Sequence, residues 1–385
     1  MKNTIKMSLV AAVAVAGLSS TAAAKPLEEA IKNVDVSGSI VYRYNDYGDD
    51  KNVKNKTDNN YKIAASLKSK VNDYVTATVR VVTGHDIATG TQNTSSSWST
   101  LPTDTNADAN PTVQVSQANF TVKTDAATVI AGKQGLTTPW TVAIDSDGNE
   151  QHGTGLLALI PAGPVTIAAA YFNQTNLDNV KPSILAGGAL DGAAYIATVG
   201  VLGSASGVSF DAWALDLEDT FSSYTFGAKT TMDMITAELR YASLDLDAVD
   251  TNNSIVIAKV GAKMDAFSAY LQYGMTDEEG GLTALDSDAK TTMTGWNTNI
   301  HDKADADYIR VGGAMDVMSD LNVSLNYATL DYTGDVTETE LYTQITHKMG
   351  KNLSTYVRLG MWDKETGSAT TFDSTAGRLQ VEYKF

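Results

Sequence analysis

The sequence predicts an all-β chain: a transmembrane, antiparallel up-and-down β-barrel of about eighteen strands. Three observations predict it. Short segments with alternating apolar and polar residues recur along the chain, the mark of a strand with one apolar and one polar face. The connections between them alternate between long and short, as in a barrel with short periplasmic turns and long extracellular loops. Beyond the N-terminal leader no stretch approaches the roughly 18 uninterrupted apolar residues of a spanning helix. A membrane reading therefore requires a closed barrel, in which every backbone polar group is paired.

Composition narrows the function classes. The 385 residues carry a formal charge of −17 and no cysteine. Such acidity excludes the basic footprint of a nucleic-acid binder. The absence of cysteine excludes a disulfide scaffold, a thiolate metal site and a cysteine nucleophile. A hydrophobic content of 43% with 17 tyrosines is too rich for a disordered chain.

In chain order, Met1–Ala24 reads as a secretory signal peptide. Lys2 and Lys6 precede an apolar run, and Ala22 and Ala24 are the small residues before the cut. The mature chain, 25–385, is then a single barrel domain. Its predicted strands are 34–44, 61–70, 74–83, 112–123, 126–133, 154–160, 164–173, 192–202, 206–217, 222–231, 234–243, 254–264, 267–275, 307–316, 320–330, 339–349, 352–362 and 375–385. In the first, Val34, Val36, Ile40, Tyr42 and Tyr44 alternate with Asp35, Ser37, Ser39 and Arg43. Long connections such as 84–111 and 276–306 alternate with tight ones such as Thr124-Asp125. Only the ninth, Glu218–Phe221, is short where a long one is expected. In the last strand Leu379, Val381, Tyr383 and Phe385 share one face, and the chain stops on Phe385. Tyr383 and Phe385 are the candidate outer-membrane assembly signal. Tyrosines near strand ends suit the aromatic girdles of the two membrane interfaces.

Four stretches resemble the major outer membrane protein family of Campylobacter-type bacteria, which are porins. They are Pro26–Gly38 continued by Tyr42-Arg43-Tyr44; Val129–Gln134; Ala143–Asp145 with Gly153–Gly155; and Arg378–Gln380 with Tyr383–Phe385. The resemblance implies an eighteen-stranded barrel in the outer membrane of a Gram-negative bacterium. It further implies a homotrimer and a water-filled, cation-preferring pore. The partners expected with it are outer-membrane lipids, lipopolysaccharide and the barrel assembly machinery. It also implies that the third long loop, 134–153, folds into the barrel as the constriction.

That loop carries Asp145, Asp147 and Glu150 and no lysine or arginine. An acidic cluster inside a low-dielectric wall focuses a potential that favours cations. Strand alternation places Arg43, Arg80, Lys133, Arg240, Lys259, Lys263, Arg310, Arg358 and Arg378 on polar faces. Lysine or arginine on the lipid face costs about 2–4 kcal/mol at the midplane, so these bases are expected on the pore wall, facing the acidic loop.

Catalytic and metal patterns fail. Asp145–Glu150 opens like an EF-hand but has Glu150 where glycine is required and Leu156 where a bidentate glutamate is required. Loose binding of a divalent cation such as Ca²⁺ stays open; no other cofactor is expected. The four histidines form no HExxH. Gly203–Gly207 has the wrong phase for a nucleophile elbow and reads as a turn.

The expected function is thus non-enzymatic: passive diffusion of ions and small hydrophilic solutes. A substrate-selective channel with an aromatic or basic track is one alternative, a barrel whose loops serve adhesion another. The charge has an address in this reading. The nine odd-numbered connections hold 30 of the 45 acids and seven of the 28 bases. The rest of the mature chain is mildly basic.

Overall fold

In the computed structural model the described residues are 34–49, 56–84, 98–100, 112–176 and 196–385. The signal peptide, most of the Pro26–Gly38 stretch, positions 192–195 of the eighth predicted strand and most of the second long loop lie outside them. Nineteen strands form one sheet. Eighteen of them close a barrel and match the eighteen predicted segments one for one. The other, β4 (Ser99–Thr100), is a two-residue piece of the second loop that pairs with Asn60 and Tyr61 of β2 (Lys56–Lys70). All strand pairings are antiparallel and, apart from the closing pair and the short β4, join strands that follow one another around the barrel; the described residues include no helix.

Closure joins β1 (Val34–Asp49) to β19 (Ala369–Lys384), with Tyr42 opposite Val381 and Asn45 opposite Arg378. The final residue completes the seam: Gly38 and Phe385 exchange both backbone hydrogen bonds, at 2.9 and 3.1 Å. A Cβ on Gly38 would stand 2.2 Å from the Ala64 carbonyl oxygen and 2.6 Å from the Phe385 ring, so the seam has no room for a side chain there. The start of β1 and the C-terminal residue therefore sit at the short-turn end.

Alternation separates the two surfaces. On the outer face Ile40, Ile63, Val79, Phe120, Phe226, Leu239, Leu271, Leu325 and Leu359 are exposed, the band a barrel presents to lipid. At the short-turn end, Ser206 and Gly207 both take positive φ (51° and 80°) between β9 (Ile196–Ala205) and β10 (Val208–Leu217). That is the geometry a two-residue hairpin needs to follow strand twist.

The long-loop end is less regular than expected. Long connections were predicted up to the last strand. Instead β16 (Leu321–Tyr332) and β17 (Val336–Lys348) are joined by Thr333–Asp335 alone, and β18 (Leu353–Thr366) reaches β19 through Gly367-Ser368. The acidic segments 331–338 and 363–374 carry on the ladder instead of leaving it. Thr337 and Thr339 pair with Asp331 and Thr329, and Phe372 with Lys364. Above the lipid both faces of a strand meet water, so the amphipathic signal fades while the backbone pairing continues.

Candidate pore constriction

Two long loops turn inward. Loop 3, between β6 (Thr128–Gln134) and β7 (His152–Ala162), and loop 7, between β14 (Phe267–Thr276) and β15 (Asp307–Met318), meet inside the barrel. The Leu285 amide donates to the Trp140 carbonyl at 3.0 Å, and the Thr291 amide to the Pro139 carbonyl at 3.1 Å. One apolar cluster joins Leu136 and Trp140 of loop 3, Leu282 and Leu285 of loop 7, and Phe172, Leu215, Leu217, Phe221 and Leu244 of the wall. A second seats Met293 and Ile300 of loop 7 on Ile255, Ile257, Tyr308 and Leu330. Glu340 on β17 fastens the far turn of loop 7, accepting from the amides of Trp296 (2.9 Å), Asn297 (2.7 Å) and Thr298 (3.3 Å).

Loop 3 then carries its acids to the opposite wall. Glu150 is buried there. Its Oε1 and Oε2 accept from Arg80 Nη2 and Nε at 2.6 and 2.8 Å, and Lys62 Nζ lies 3.2 Å away. Burial alone would raise this carboxyl, but Arg80 and Lys62 outweigh it and hold it down to about 2. Asp147 lies between Arg378 Nη1 (2.7 Å) and Arg43 Nη1 (3.6 Å). Its side chain is 56% exposed; partial desolvation inside the barrel works against its ionisation, and the two arginines outweigh that and keep it below the ordinary carboxylate range. Asp145 points elsewhere: its carboxylate accepts from the backbone amide (2.7 Å) and side chain (2.9 Å) of Asn149, closing the loop's own turn. Its burial raises its pKa against those bonds. Trp98 of loop 2 completes the rim, stacking over the Arg43 guanidinium at 4.0 Å and donating to the Asp147 carbonyl at 3.0 Å.

The structure thus brings together Asp147 and Glu150 with Arg43, Arg80 and Arg378, and it adds Lys62, Trp98 and all of loop 7. Arg240 is instead neutralised on β12 (Ile235–Leu246) by a two-pronged pair with Asp211, at 2.7 and 3.0 Å. Lys259 stands opposite Glu238 of β12 on the next strand. Lys263 is exposed near the short-turn end of β13 (Asn252–Met264). Arg310 lies beside Tyr270 and Gln272, and Arg358 beside Trp296 and Gln344. Lys133 departs from the expected wall. The register sets it opposite Ala118 and Thr154, in the row of Ala131 and the exposed Phe120, and so on the outward face. The physical reason is depth: Lys133 is one residue from the end of β6, where the penalty for an outward base falls to about 0–1 kcal/mol.

The sequence marks 276–306 as a long connection but does not send it into the lumen, yet that entry left a signal. Leu215, Leu217, Leu244, Ile255, Ile257 and Leu330 are apolar residues on lumen-facing rows. A water-filled lumen has no use for them; a docked loop does. Among the described residues no group of three or more potential ligands is arranged to hold a metal ion.

A lumen narrowed by an inserted loop, with acids set against bases across the gap, is the arrangement of a channel. The family model described as Campylobacter major outer membrane protein matches residues 1–385, the whole chain. The chain belongs to this family. It is an outer-membrane channel protein, and this family member's barrel has solved counterparts. Acinetobacter baumannii OccAB3 superposes with a TM-score of 0.74 at 14% identity, covering 92% of this chain and 99% of that one. A BenF-like porin from Pseudomonas fluorescens Pf-5 gives 0.72 at 13%, covering 92% and 99%. Pseudomonas aeruginosa OccK2, solved in complex with glucuronate, gives 0.71 at 14%, covering 91% and 98%. At such identities the likeness establishes the fold alone. No curated protein sequence matches the chain.

The contact between the two loops also makes a pH prediction. Asp286 of loop 7 is fully buried with one carboxylate oxygen unpartnered. Burial first, then the nearby Asp288 and Asp145, raises its pKa from 3.8 to about 7. A raised acid pKa penalises the docked state above the free value. Loop docking is therefore tightest in acid, weakens as pH rises, and is weakest above about 7. Open-channel noise in bilayer recordings should rise as pH climbs from about 4 to about 7 and level off above it, and Asp286→Asn should abolish that rise. Identical noise in acid and alkaline buffer would refute it.

Proposed function

We propose that the protein is a passive diffusion channel for ions and small hydrophilic solutes, with loops 3 and 7 and Trp98 forming its narrowest part. The observation that carries this reading is the crossing of the lumen by Asp147 and Glu150 to the bases of β1, β2, β3 (Val75–Gly84) and β19. Paired charges make a transverse field that orients polar solutes and disfavours apolar ones. We further propose that cation preference arises at the acidic long-loop mouth. At the constriction, Asp147 and Glu150 are already matched by Arg378, Arg43, Arg80 and Lys62.

Trimerisation in a lipopolysaccharide-bearing membrane, after delivery by the barrel assembly machinery, is proposed from family membership. Purified protein in a planar bilayer should give conductance steps in groups of three, with a reversal potential in a KCl gradient on the cation side. Protein that folds but never conducts would end the channel reading. An anion-side reversal potential would end the mouth assignment alone.

A further inference from the structure

Below the constriction, toward the short-turn end, a cavity of about 630 Å³ opens against β1, β2, β18 and β19. Its lining is unusually basic. Arg43, Lys62, Arg80, Arg358 and Lys384 face it, against the acids Asp145 and Glu382. Most of these bases share a carboxylate: Lys62 and Arg80 share Glu150, Arg43 shares Asp147 with Arg378, and Lys384 pairs with Glu382 at 3.3 Å. Arg358 differs. It makes no ion pair among the described residues. Its Nε donates to Gln344 Oε1 at 2.8 Å, and its guanidinium stands 5.0, 5.3 and 5.4 Å from the ring centres of Trp296, Tyr342 and Tyr356. Tyr356 is itself fixed, its hydroxyl 3.1 Å from the Gln380 oxygen that also accepts from Arg43 Nε at 2.9 Å.

This is a charge held by rings and an amide. With Nε committed to Gln344, a guanidinium among aromatic rings keeps the N–H donors of its two Nη atoms for a planar, two-oxygen acceptor. The neighbouring ring faces add a surface for a second planar group. Halide ions would gain only Coulomb attraction, and cations would be repelled. The volume falls within the roughly 300–1,000 Å³ range of small-molecule sites. The cavity is also open enough for release, which conduction demands.

We propose that this cavity is a transit subsite for aromatic carboxylates, with Arg358 anchoring the carboxylate and Tyr356 flanking the ring. The proposal rests on the channel reading. It is tested by single-channel recording in KCl with benzoate, acetate and benzylamine added in turn. Benzoate should reduce the current or make it flicker in a saturable way, acetate should do so more weakly, and benzylamine should have no such effect. Arg358→Gln should weaken the benzoate effect about tenfold, the cost of one charged hydrogen-bond partner. Arg358→Lys keeps the charge but loses the planar fork, so it should weaken the benzoate and acetate effects alike, and by less than Arg358→Gln. Tyr356→Leu should narrow the gap between the two probes. Equal effects of benzoate and acetate on the wild type, or an unchanged benzoate effect in Arg358→Gln protein that still conducts KCl, would overturn the subsite and leave the channel standing. Absence of any KCl conductance in the wild type would remove both.

Discussion

Replacing Glu150 by glutamine is expected to move the reversal potential in a KCl gradient toward the anion side and to raise single-channel conductance. Glu150 is the common partner of two bases whose side chains are themselves mostly buried, Lys62 at 7% and Arg80 at 16% exposure. Glutamine keeps the shape and removes the charge. Lys62 and Arg80 would then face the narrowest point without their shared carboxylate, and the local field would become more positive. Breaking a buried pair from one side costs about 3–5 kcal/mol, because the remaining charge is left desolvated. Here the strain is relieved by freeing the tip of loop 3, which widens the gap. With its carboxyl held to about 2, Glu150 stays ionised in ordinary buffers. The wild-type pair is present above the free value of 4.5 and is lost only as pH falls toward 2. An unchanged reversal potential in the variant would refute the assignment.

Trp140→Ala is expected to produce a larger and noisier conductance without unfolding the barrel. The indole is fully buried between the two inserted loops and the wall, and its Nε1 donates to Ser223 Oγ at 2.8 Å. Removing it costs about 3–5 kcal/mol for a buried aromatic. That cost falls on the docking of loops 3 and 7, since the strand ladders do not use this side chain. Trp140→Phe, which keeps most of the apolar area and loses the donor, should cost about 1 kcal/mol and change conductance little. Heat-modifiable migration on a gel reports that the barrel is intact. Wild-type conductance and noise in Trp140→Ala would show that the cluster does not hold the loops.

Much of the barrel was legible in the sequence, because a strand's two faces are set by its own residues. Val36, Ile40 and Tyr42 alternate with Ser37, Ser39 and Arg43, and the structure turns the first set outward. Lys133 was misread where that alternation is weak, in Val129-Ile-Ala-Gly-Lys133, and only the register to Ala118 resolves the face. The extra length of β17, β18 and β19 was hidden for a related reason: above the membrane, period-two burial no longer distinguishes strand from loop.

The constriction was legible only in part. That Asp145, Asp147 and Glu150 share one loop is a fact of sequence. That Asp145 turns to Asn149 while Asp147 and Glu150 cross to the wall is not. The Arg378–Asp147 pair joins residues 231 apart in the chain, and no local pattern encodes such a meeting. The sequence by itself determined the strand number, the outer and inner faces, and an acid-rich set of loops, since each follows from the chemistry of neighbouring residues. Only the tertiary structure decided which loops enter the lumen, which acids are neutralised there, and that Arg358 makes no ion pair among the described residues. Those outcomes depend on buried area and Coulomb contacts between distant segments, which exist once the barrel has closed.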